Sequence, residues 1–218
     1  MVSRETSGEL PPWLSPAKEQ LERYQEILAG PGLDRGLMGP REMPRLWDRH
    51  ILNCAVVAEP ALGLIPQGAL VADVGSGAGL PGLVWAITRP DLTMILIEPL
   101  LRRATFLTEA VIDLGLTDRV TVLRARAEKV ITTPNWTGVD IVTARAVAPM
   151  ERLLGWTMPL LKPVGDLLAL KGSSAQSEID AATDVINQYR ITEISVLTCG
   201  TGVVEPETTV VRARRMLA

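Results

Sequence analysis

From residue 69 to the end of the chain, short apolar runs alternate with stretches that have a helical pattern of apolar and polar residues. Short apolar runs typical of buried strands cover residues 69–74, 93–97, 120–123, 139–143, 167–170, 191–197 and 208–212. Helical patterns lie between them at residues 83–87, 101–114, 150–161 and 177–189, and a turn is predicted at residues 163–166. Strands that alternate with helices predict a parallel sheet with helices on both faces. The last two runs have no helix between them, so we expect them to pair antiparallel.

The N-terminal part of the chain has a purely helical pattern. Ser15 suits the cap of a helix that we expect to end at Gly30, and a second helix is predicted over residues 44–59. We therefore predict two regions. Residues 1–66 form an N-terminal tail and helical cap, and residues 67–218 form one compact α/β domain.

Residues 71–82, VADVGSGAGLPG, join the first predicted strand to the first helix of that domain. A strand, a glycine-rich turn and a helix form the usual layout of a nucleotide-type cofactor site. Glycine permits positive φ, and without a Cβ it lets a ligand approach the backbone. The stretch therefore predicts a cofactor site at the end of the first strand.

Two cofactor motifs fit this stretch. The spacing GxGxxG at residues 77–82, with Glu98 about 20 residues further on, matches the dinucleotide fingerprint of a nicotinamide-dependent oxidoreductase. The spacing DxGxGxG at residues 73–79 matches the first motif of S-adenosylmethionine methyltransferases. We favour the second motif, because Gly75 directly follows the strand and the Asp73 carboxylate suits a cationic ligand better than a pyrophosphate.

Composition limits the classes of protein that remain. Hydrophobic residues make up 47% and charged residues 22% of the chain, and no apolar stretch is long enough to span a bilayer or act as a signal peptide. Two cysteines, Cys54 and Cys199, with the single histidine His50, give no disulfide framework and no metal-ligand spacing. We expect a cytoplasmic protein without a metal site and without a membrane partner.

Charge alone does not predict a nucleic-acid partner. The formal net charge is −3, and all but four of the 22 basic residues are arginines. Clustered arginines are typical of solvated faces, and the alternative is a local track for phosphates.

Five short stretches, in this order, resemble the bacterial 16S rRNA guanine-N7 methyltransferase family, also called glucose-inhibited division protein B. They are residues 49–53 (RHILN), 73–82 (DVGSGAGLPG), 127–128 (AE), 143–146 (TARA) and 169–172 (ALKG). The resemblance covers the chain from residue 46 to its end. Asn53 departs from the pattern, which leads us to expect an acidic residue there.

The resemblance implies a Rossmann-like, class I S-adenosylmethionine methyltransferase fold. By motif position it implies cofactor contacts at Gly75, Leu80, Ala127, Glu128 and Arg145. The glycine motif and the end of the second strand add Asp73, Gly77, Gly79 and Glu98, with Glu98 expected to bind the ribose hydroxyls.

The implied reaction needs no catalytic side chain. N7 of guanine has a free lone pair and no proton, so it can attack the sulfonium methyl directly once it is positioned. We interpret His50 as a packed residue with a satisfied hydrogen bond rather than a general base.

The implied partner is 16S rRNA in the 30S subunit or an assembly intermediate, bound by a monomer through Arg45, Arg49 and Arg145. A non-catalytic ribosome-assembly factor with the same fold is an alternative to an enzyme.

Overall fold

One seven-stranded sheet forms the centre of the protein, for which a computed structural model describes residues 10–134 and 136–216. The strands are β1 (Leu70–Val74), β2 (Thr93–Ile97), β3 (Val120–Leu123), β4 (Val139–Arg145), β5 (Leu161–Lys171), β6 (Ile191–Cys199) and β7 (Thr208–Met216). Their order in the sheet is β3-β2-β1-β4-β5-β7-β6. Most of the predicted tail falls in residues 1–9, outside the described residues.

The pairing of the strands confirms the predicted α/β class. Strands β3, β2, β1, β4 and β5 are parallel, whereas β7 runs antiparallel to both β5 and β6. The chain moves from β1 outwards to β3 and then returns to the other side of β1 with β4. Ligands of open α/β sheets bind in the crevice beyond the carboxyl ends of the strands at such a switch point. The fold therefore marks the edge beyond β1 and β4 as the place to look for a site.

Strand β5 is longer than the sequence predicts. The turn expected at residues 163–166 is wrong, because these residues belong to β5. The pairing of β5 with β4 skips there, from Val139 opposite Leu161 to Ile141 opposite Asp166, so the extra residues bulge. Asp166 is held in the strand by Arg212 and Arg214 of β7 through hydrogen bonds of 2.6–3.1 Å. These ion pairs come from far along the chain, which explains why the local pattern of polar residues predicts a turn instead.

Helices cover both faces of the sheet, as predicted. They are α1 (Lys18–Ile27), α2 (Asn53–Ala55), α3 (Gly82–Thr88), α4 (Leu101–Asp113), α5 (Ala127–Val130), α6 (Met150–Thr157), α7 (Ala175–Ala181) and α8 (Thr183–Gln188). One apolar core joins α1, α3 and α4 to one face, and a second core joins α6 and α7 to the other. None of the helices in the described residues combines the length and the hydropathy needed to cross a bilayer.

The N-terminal helices are longer and less regular than predicted. The first does not end at Gly30, because a π-helical turn, Leu28–Gly32, carries the chain past Pro31, which lacks a backbone N–H. Ser15 is the first residue of a 3₁₀ turn, Ser15–Ala17, rather than its cap. The second begins at Pro40, and 3₁₀ and π turns bring it to α2 and on to Ala58.

Several hydrogen bonds tie these N-terminal helices to the sheet domain, and two of them are buried deep between the two parts. Tyr24 Oη donates to the carbonyl of Ala78, 2.7 Å away, and Trp85 Nε1 donates to the carbonyl of Cys54, 2.9 Å away. The helices also share one hydrophobic core with β1 and α3. The boundary between residues 66 and 67 stays a prediction.

Candidate active site

The glycine loop, residues 75–81, leaves the carboxyl end of β1 at the switch point of the sheet. Gly75, Gly77 and Gly79 have φ values of 70°, 58° and 96°, in the left-handed region that favours glycine. A Cβ on Gly75 would lie 2.8 Å from a methyl group of Val147, in the loop that follows β4. The backbone of the glycine loop therefore touches the β4 loop.

Asp73 lies beneath the glycine loop. Its side chain is fully buried, its Oδ2 accepts a hydrogen bond of 3.1 Å from the backbone N–H of Gly82, and its Oδ1 has no partner among the described residues. Burial raises the pKa of this carboxyl to about 7, although the hydrogen bond from Gly82 acts in the opposite direction. Asp73 thus braces the start of α3 and retains one buried oxygen for another donor. Its assignment as a cofactor contact stays a prediction.

Glu98 holds the middle of the same loop from the end of β2. Its Oε2 accepts a hydrogen bond of 3.0 Å from the N–H of Gly77, and its Oε1 accepts one of 3.0 Å from the N–H of Leu100. Only 1% of the residue is exposed. An ionised carboxylate offers about four lone-pair positions, so Glu98 can hold the loop and still accept a bond from a ligand. The ribose contact is compatible with this arrangement and stays a prediction.

The other predicted cofactor contacts lie along the same edge of the sheet. Leu80 is half-buried in the glycine loop, Ala127 is the buried first residue of α5, and Glu128 beside it is exposed. Helix α5 follows β3, the neighbour of β2, so it begins close to the strand end that carries Glu98. The predicted contacts from β1, β2 and β3 therefore occupy consecutive strand ends.

A cleft of about 950 Å³ opens beside the glycine loop, at the carboxyl ends of β4 and β5. The N-terminal helices, the β4 loop and residues 204–206 form its walls. Its charged lining residues comprise four cations and three carboxylates: Arg45, Arg49, Arg145, Lys171, Asp48, Glu178 and Glu205. The cleft is large enough for a drug-sized ligand, since typical pockets measure about 300–1,000 Å³.

Arg145 lies at the end of β4 and is held by the second N-terminal helix. Its Nη2 donates to the carbonyl of Arg49 at 3.2 Å and to Nδ1 of His50 at 2.9 Å, and its Nη1 donates to Sγ of Cys54 at 3.2 Å. Because Arg145 also lines the cleft, the helix fixes the direction of a guanidinium in the cleft wall.

His50 links Arg145 to Glu42. Its Nδ1 accepts from Arg145 and must be unprotonated, so the ring proton lies on Nε2, which donates to Oε2 of Glu42 at 2.6 Å. Burial lowers the pKa of His50, the nearby charge of Arg145 adds to this effect, and the hydrogen bond to Glu42 opposes it. Both ring nitrogens are in use, which agrees with the interpretation of His50 as a packed residue rather than a base.

The structure brings the predicted RNA-binding arginines to one cleft. Arg45 and Arg49 are exposed on the N-terminal helical segment and line the same wall as Arg145. The arginines at the C-terminus have a structural role instead. Arg212 and Arg214 pair with Asp166, and Arg215 donates to the carbonyl of Leu161 at 2.8 Å.

Sequence reasoning did not assign Lys171 and Glu178, which form part of the cleft wall. The signal for Lys171 was present, since it directly follows the strand predicted at residues 167–170 and lies within the ALKG stretch. Glu178 gives no such signal, because it lies on α7 and reaches the cleft only through folding.

Comparison with known proteins gives a family model and several similar chains. The model described as rRNA small subunit methyltransferase G matches residues 17–208. The ribosomal RNA small subunit methyltransferase G of Streptomyces avermitilis is 52% identical over 213 residues, which cover 94% of this chain and 87% of that protein. The protein of the same name from Thermobifida fusca is 55% identical over 191 residues, 88% of this chain and 77% of its own length.

Solved structures share the fold at low sequence identity. A SAM-dependent methyltransferase from Aquifex aeolicus has a TM-score of 0.55 and 21% identity, over 81% of this chain and 98% of that one. An O-methyltransferase from Bacillus cereus in complex with SAH has a TM-score of 0.60 and 13% identity, over 90% of each chain. At this level of identity the likenesses show a shared fold.

Proposed function

The chain belongs to the rRNA small subunit methyltransferase G family, and from this premise we propose that it transfers a methyl group from S-adenosylmethionine to N7 of a guanine in 16S rRNA. The observation that carries the proposal is the junction of two sites at one edge of the sheet. A braced glycine loop adjoins a cleft of about 950 Å³, and the loop after β4 separates them.

The residues around the glycine loop fit S-adenosylmethionine, which when bound supplies a methyl group on a positively charged sulfur. Asp73 has a buried oxygen without a partner among the described residues, and Glu98 has lone pairs beyond those given to Gly77 and Leu100. Buried carboxylate oxygens attract a cationic ligand with hydroxyl and ammonium donors, and they repel a pyrophosphate. Glu98 would suit the ribose of either cofactor, so the preference for S-adenosylmethionine over a dinucleotide comes from the buried oxygen of Asp73.

The cleft supplies the chemistry for an RNA ligand. Exposed Arg45 and Arg49 can pair with phosphates, and fixed Arg145 can pair with a phosphate or stack on an exposed base. Single-stranded RNA loops present both groups to a protein. We infer that the target nucleotide enters this cleft and presents its base across the β4 loop.

The residues of the cleft act by positioning. N7 has no proton to lose, and both nitrogens of His50 are engaged, so the proposed transfer needs no proton acceptor. The braced glycine loop and the walls of the cleft hold the two reacting groups in line, which converts a bimolecular reaction into an effectively unimolecular one.

The proposed substrate particle is the 30S subunit or an assembly intermediate in the cytoplasm. We infer that a monomer acts on it, because one chain supplies both the glycine loop and the cleft.

Two measurements test the proposed function. Mass spectrometry of 16S rRNA should find one N7-methylguanosine that disappears when the gene is deleted and returns with the wild-type gene. If the deletion does not change the amount of N7-methylguanosine, the result would support a non-catalytic assembly factor. Calorimetry should detect binding of S-adenosylhomocysteine and not of NAD; the opposite result would support an oxidoreductase.

A further inference from the structure

Lys171 and Glu178 form an ion pair in the wall of the cleft. Lys171 Nζ lies 2.6 Å from Glu178 Oε2 and donates a second hydrogen bond of 2.7 Å to the carbonyl of Ala148. Glu178 also accepts from the N–H of Met150 at 3.0 Å and from Ser174 Oγ at 2.8 Å. The Lys171 side chain is only 10% exposed, so the protein fixes its ammonium group in one place.

One N–H of that ammonium group remains for a ligand. An ammonium group has three donors, and the described residues accept two of those of Lys171. Lys171 lines the cleft, so a ligand there can reach the third. A buried ion pair costs desolvation that an apolar pair would avoid, so packing alone does not explain a lysine at this position.

The β4 loop places this ammonium group next to the glycine loop. Its residue Val147 lies against Gly75, where a Cβ would come within 2.8 Å of its methyl group. The next residue, Ala148, holds Lys171 through its carbonyl. Lys171 is therefore one loop away from the backbone that we assign to the cofactor.

We propose that Lys171 determines base specificity by donating a hydrogen bond to O6 of the target guanine; this inference rests on the proposed function. O6 and N7 are neighbouring acceptors on one edge of guanine, whereas adenine has an amino donor in place of O6. An ammonium group attracts the guanine oxygen and disfavours the adenine amino group. Lys171 therefore selects guanine and turns its N7 towards the glycine loop.

The number of free donors on Lys171 suits the atom that reacts. An arginine or lysine with two free donors can bind O6 and N7 of guanine together, which would cover the lone pair of N7. Lys171 has one N–H left for a ligand, so it can donate to O6 alone and leave N7 free. Arg145, which already donates to Arg49, His50 and Cys54, is fixed to another wall of the cleft.

Glu178 is a positioning residue for Lys171. Burial opposes ionisation of its carboxyl, but the hydrogen bonds from Lys171 and Ser174 outweigh it and hold the pKa of Glu178 below its ordinary value. The carboxylate thus stays charged at neutral pH and keeps the lysine in place.

The experiment compares an RNA substrate containing the mapped guanine with one containing 2-aminopurine there, which has N7 and the 2-amino group but no O6. The wild-type enzyme should lose roughly 10- to 100-fold in kcat/KM on the 2-aminopurine RNA, the scale of a hydrogen bond to a charged group. Glu178→Gln keeps the ammonium group and should keep most of that factor. The double variant Lys171→Met/Glu178→Gln should be as slow on guanine as the wild type is on 2-aminopurine, with no further loss on 2-aminopurine.

A matched control lies at the other end of β5. Lys162 pairs with Asp140 at 2.7 Å, outside the cleft, so Lys162→Met/Asp140→Asn should discriminate as the wild type does. The factor is a ratio for one enzyme preparation, so partial unfolding of a variant cancels. A double variant at Lys171 and Glu178 that still discriminates by the wild-type factor would overturn this inference alone. A wild-type enzyme that forms no N7-methylguanosine would overturn the proposed function and this inference with it.

Discussion

The glycine loop and the adjoining cleft are built in different ways. Buried carboxylates hold the loop and the start of the helix after it through backbone N–H groups, since Glu98 accepts from Gly77 and Asp73 accepts from Gly82. The cleft is lined instead by long side chains, two of which, Arg45 and Arg49, are exposed. A small, invariant ligand gains from a fixed site, because little conformational freedom is lost on binding. A large RNA gains from adaptable charged side chains that follow its backbone.

Arg145 lies at the border and shares features of both regions. It lines the cleft as the exposed arginines do, yet three hydrogen bonds from its guanidinium fix it as the loop is fixed. We therefore expect substitutions in the glycine loop to change cofactor binding and substitutions in the cleft to change RNA binding. Substitutions around Arg145 should change the alignment of the two ligands.

The largest effect is expected at Gly75. Valine there must adopt a φ near 70° and push against Val147, so the loop would move from its present course. We expect Gly75→Val to lower the affinity for S-adenosylhomocysteine by at least about 100-fold while the protein stays folded, since a non-glycine residue in this region costs only about 1–2 kcal/mol. Calorimetry and thermal denaturation measure the two quantities.

Gly63→Val is the matched control for the backbone strain. Gly63 has a φ of 62°, and a Cβ added there would have nothing within 4 Å, so valine should cost similar stability and leave ligand affinity unchanged. Wild-type affinity in Gly75→Val would mean that the ligand binds elsewhere.

Charge reversal in the cleft should have an almost equally large effect, on the reaction with RNA rather than on cofactor binding. Arg45→Glu/Arg49→Glu should reduce methyl transfer to 30S particles roughly 100-fold, since each charge-assisted hydrogen bond lost is worth about tenfold or more. Affinity for S-adenosylhomocysteine should change less than about twofold, because neither residue contributes to the braced loop. The control Lys18→Glu/Arg190→Glu changes the net charge equally at exposed positions outside the cleft. Equal rates of methyl transfer by the two double variants would mean that the N-terminal helix has a structural role and does not bind RNA.

A smaller effect is expected at Glu98, where two tasks meet. Glu98→Ala should weaken S-adenosylhomocysteine binding by about 1–3 kcal/mol, the scale for hydrogen bonds to a charged acceptor. It should also lower the melting temperature of the ligand-free protein, because Gly77 and Leu100 lose their acceptor. Glu98→Gln keeps an oxygen acceptor and should recover part of both losses. If Glu98→Ala binds S-adenosylhomocysteine with unchanged affinity, Glu98 only stabilises the loop and does not contact the cofactor.

The comparison also explains how much the sequence could predict. Strands β2 and β3 have the predicted bounds, since each is a short apolar run with a local boundary. The glycine loop is equally local, because its strand, turn and helix are consecutive. What failed depends on distant residues: Asp166 stays in β5 through arginines of β7, and Lys171 meets Glu178 through the packing of α7. Sequence patterns therefore described the loop better than the cleft.

The smallest expected effect concerns His50 and its hold on Arg145. Glutamine can replace a neutral histidine here, because its oxygen can accept from Arg145 while its amide donates to Glu42. At neutral pH we expect His50→Gln to keep kcat/KM within about threefold of the wild type, whereas His50→Phe, which can do neither, should lose about tenfold.

The activities of His50→Gln and of the wild type should differ at acidic pH. A protonated His50 cannot accept from Arg145, and burial holds its pKa in the folded protein below its ordinary value. In the window between the two values the unfolded chain binds a proton that the folded protein does not, so this contribution to stability is complete above the ordinary pKa and declines as the pH falls. The alignment of Arg145 is lost only at the lower pH at which the folded protein itself protonates His50. The wild type should therefore keep its activity from pH 8 down to about pH 6.5 and lose it at more acidic pH, and His50→Gln should lose less. If the pH profiles of the wild type and of His50→Gln run parallel, Arg145 keeps its direction without His50. Arg145 would then belong with the adaptable side chains of the cleft.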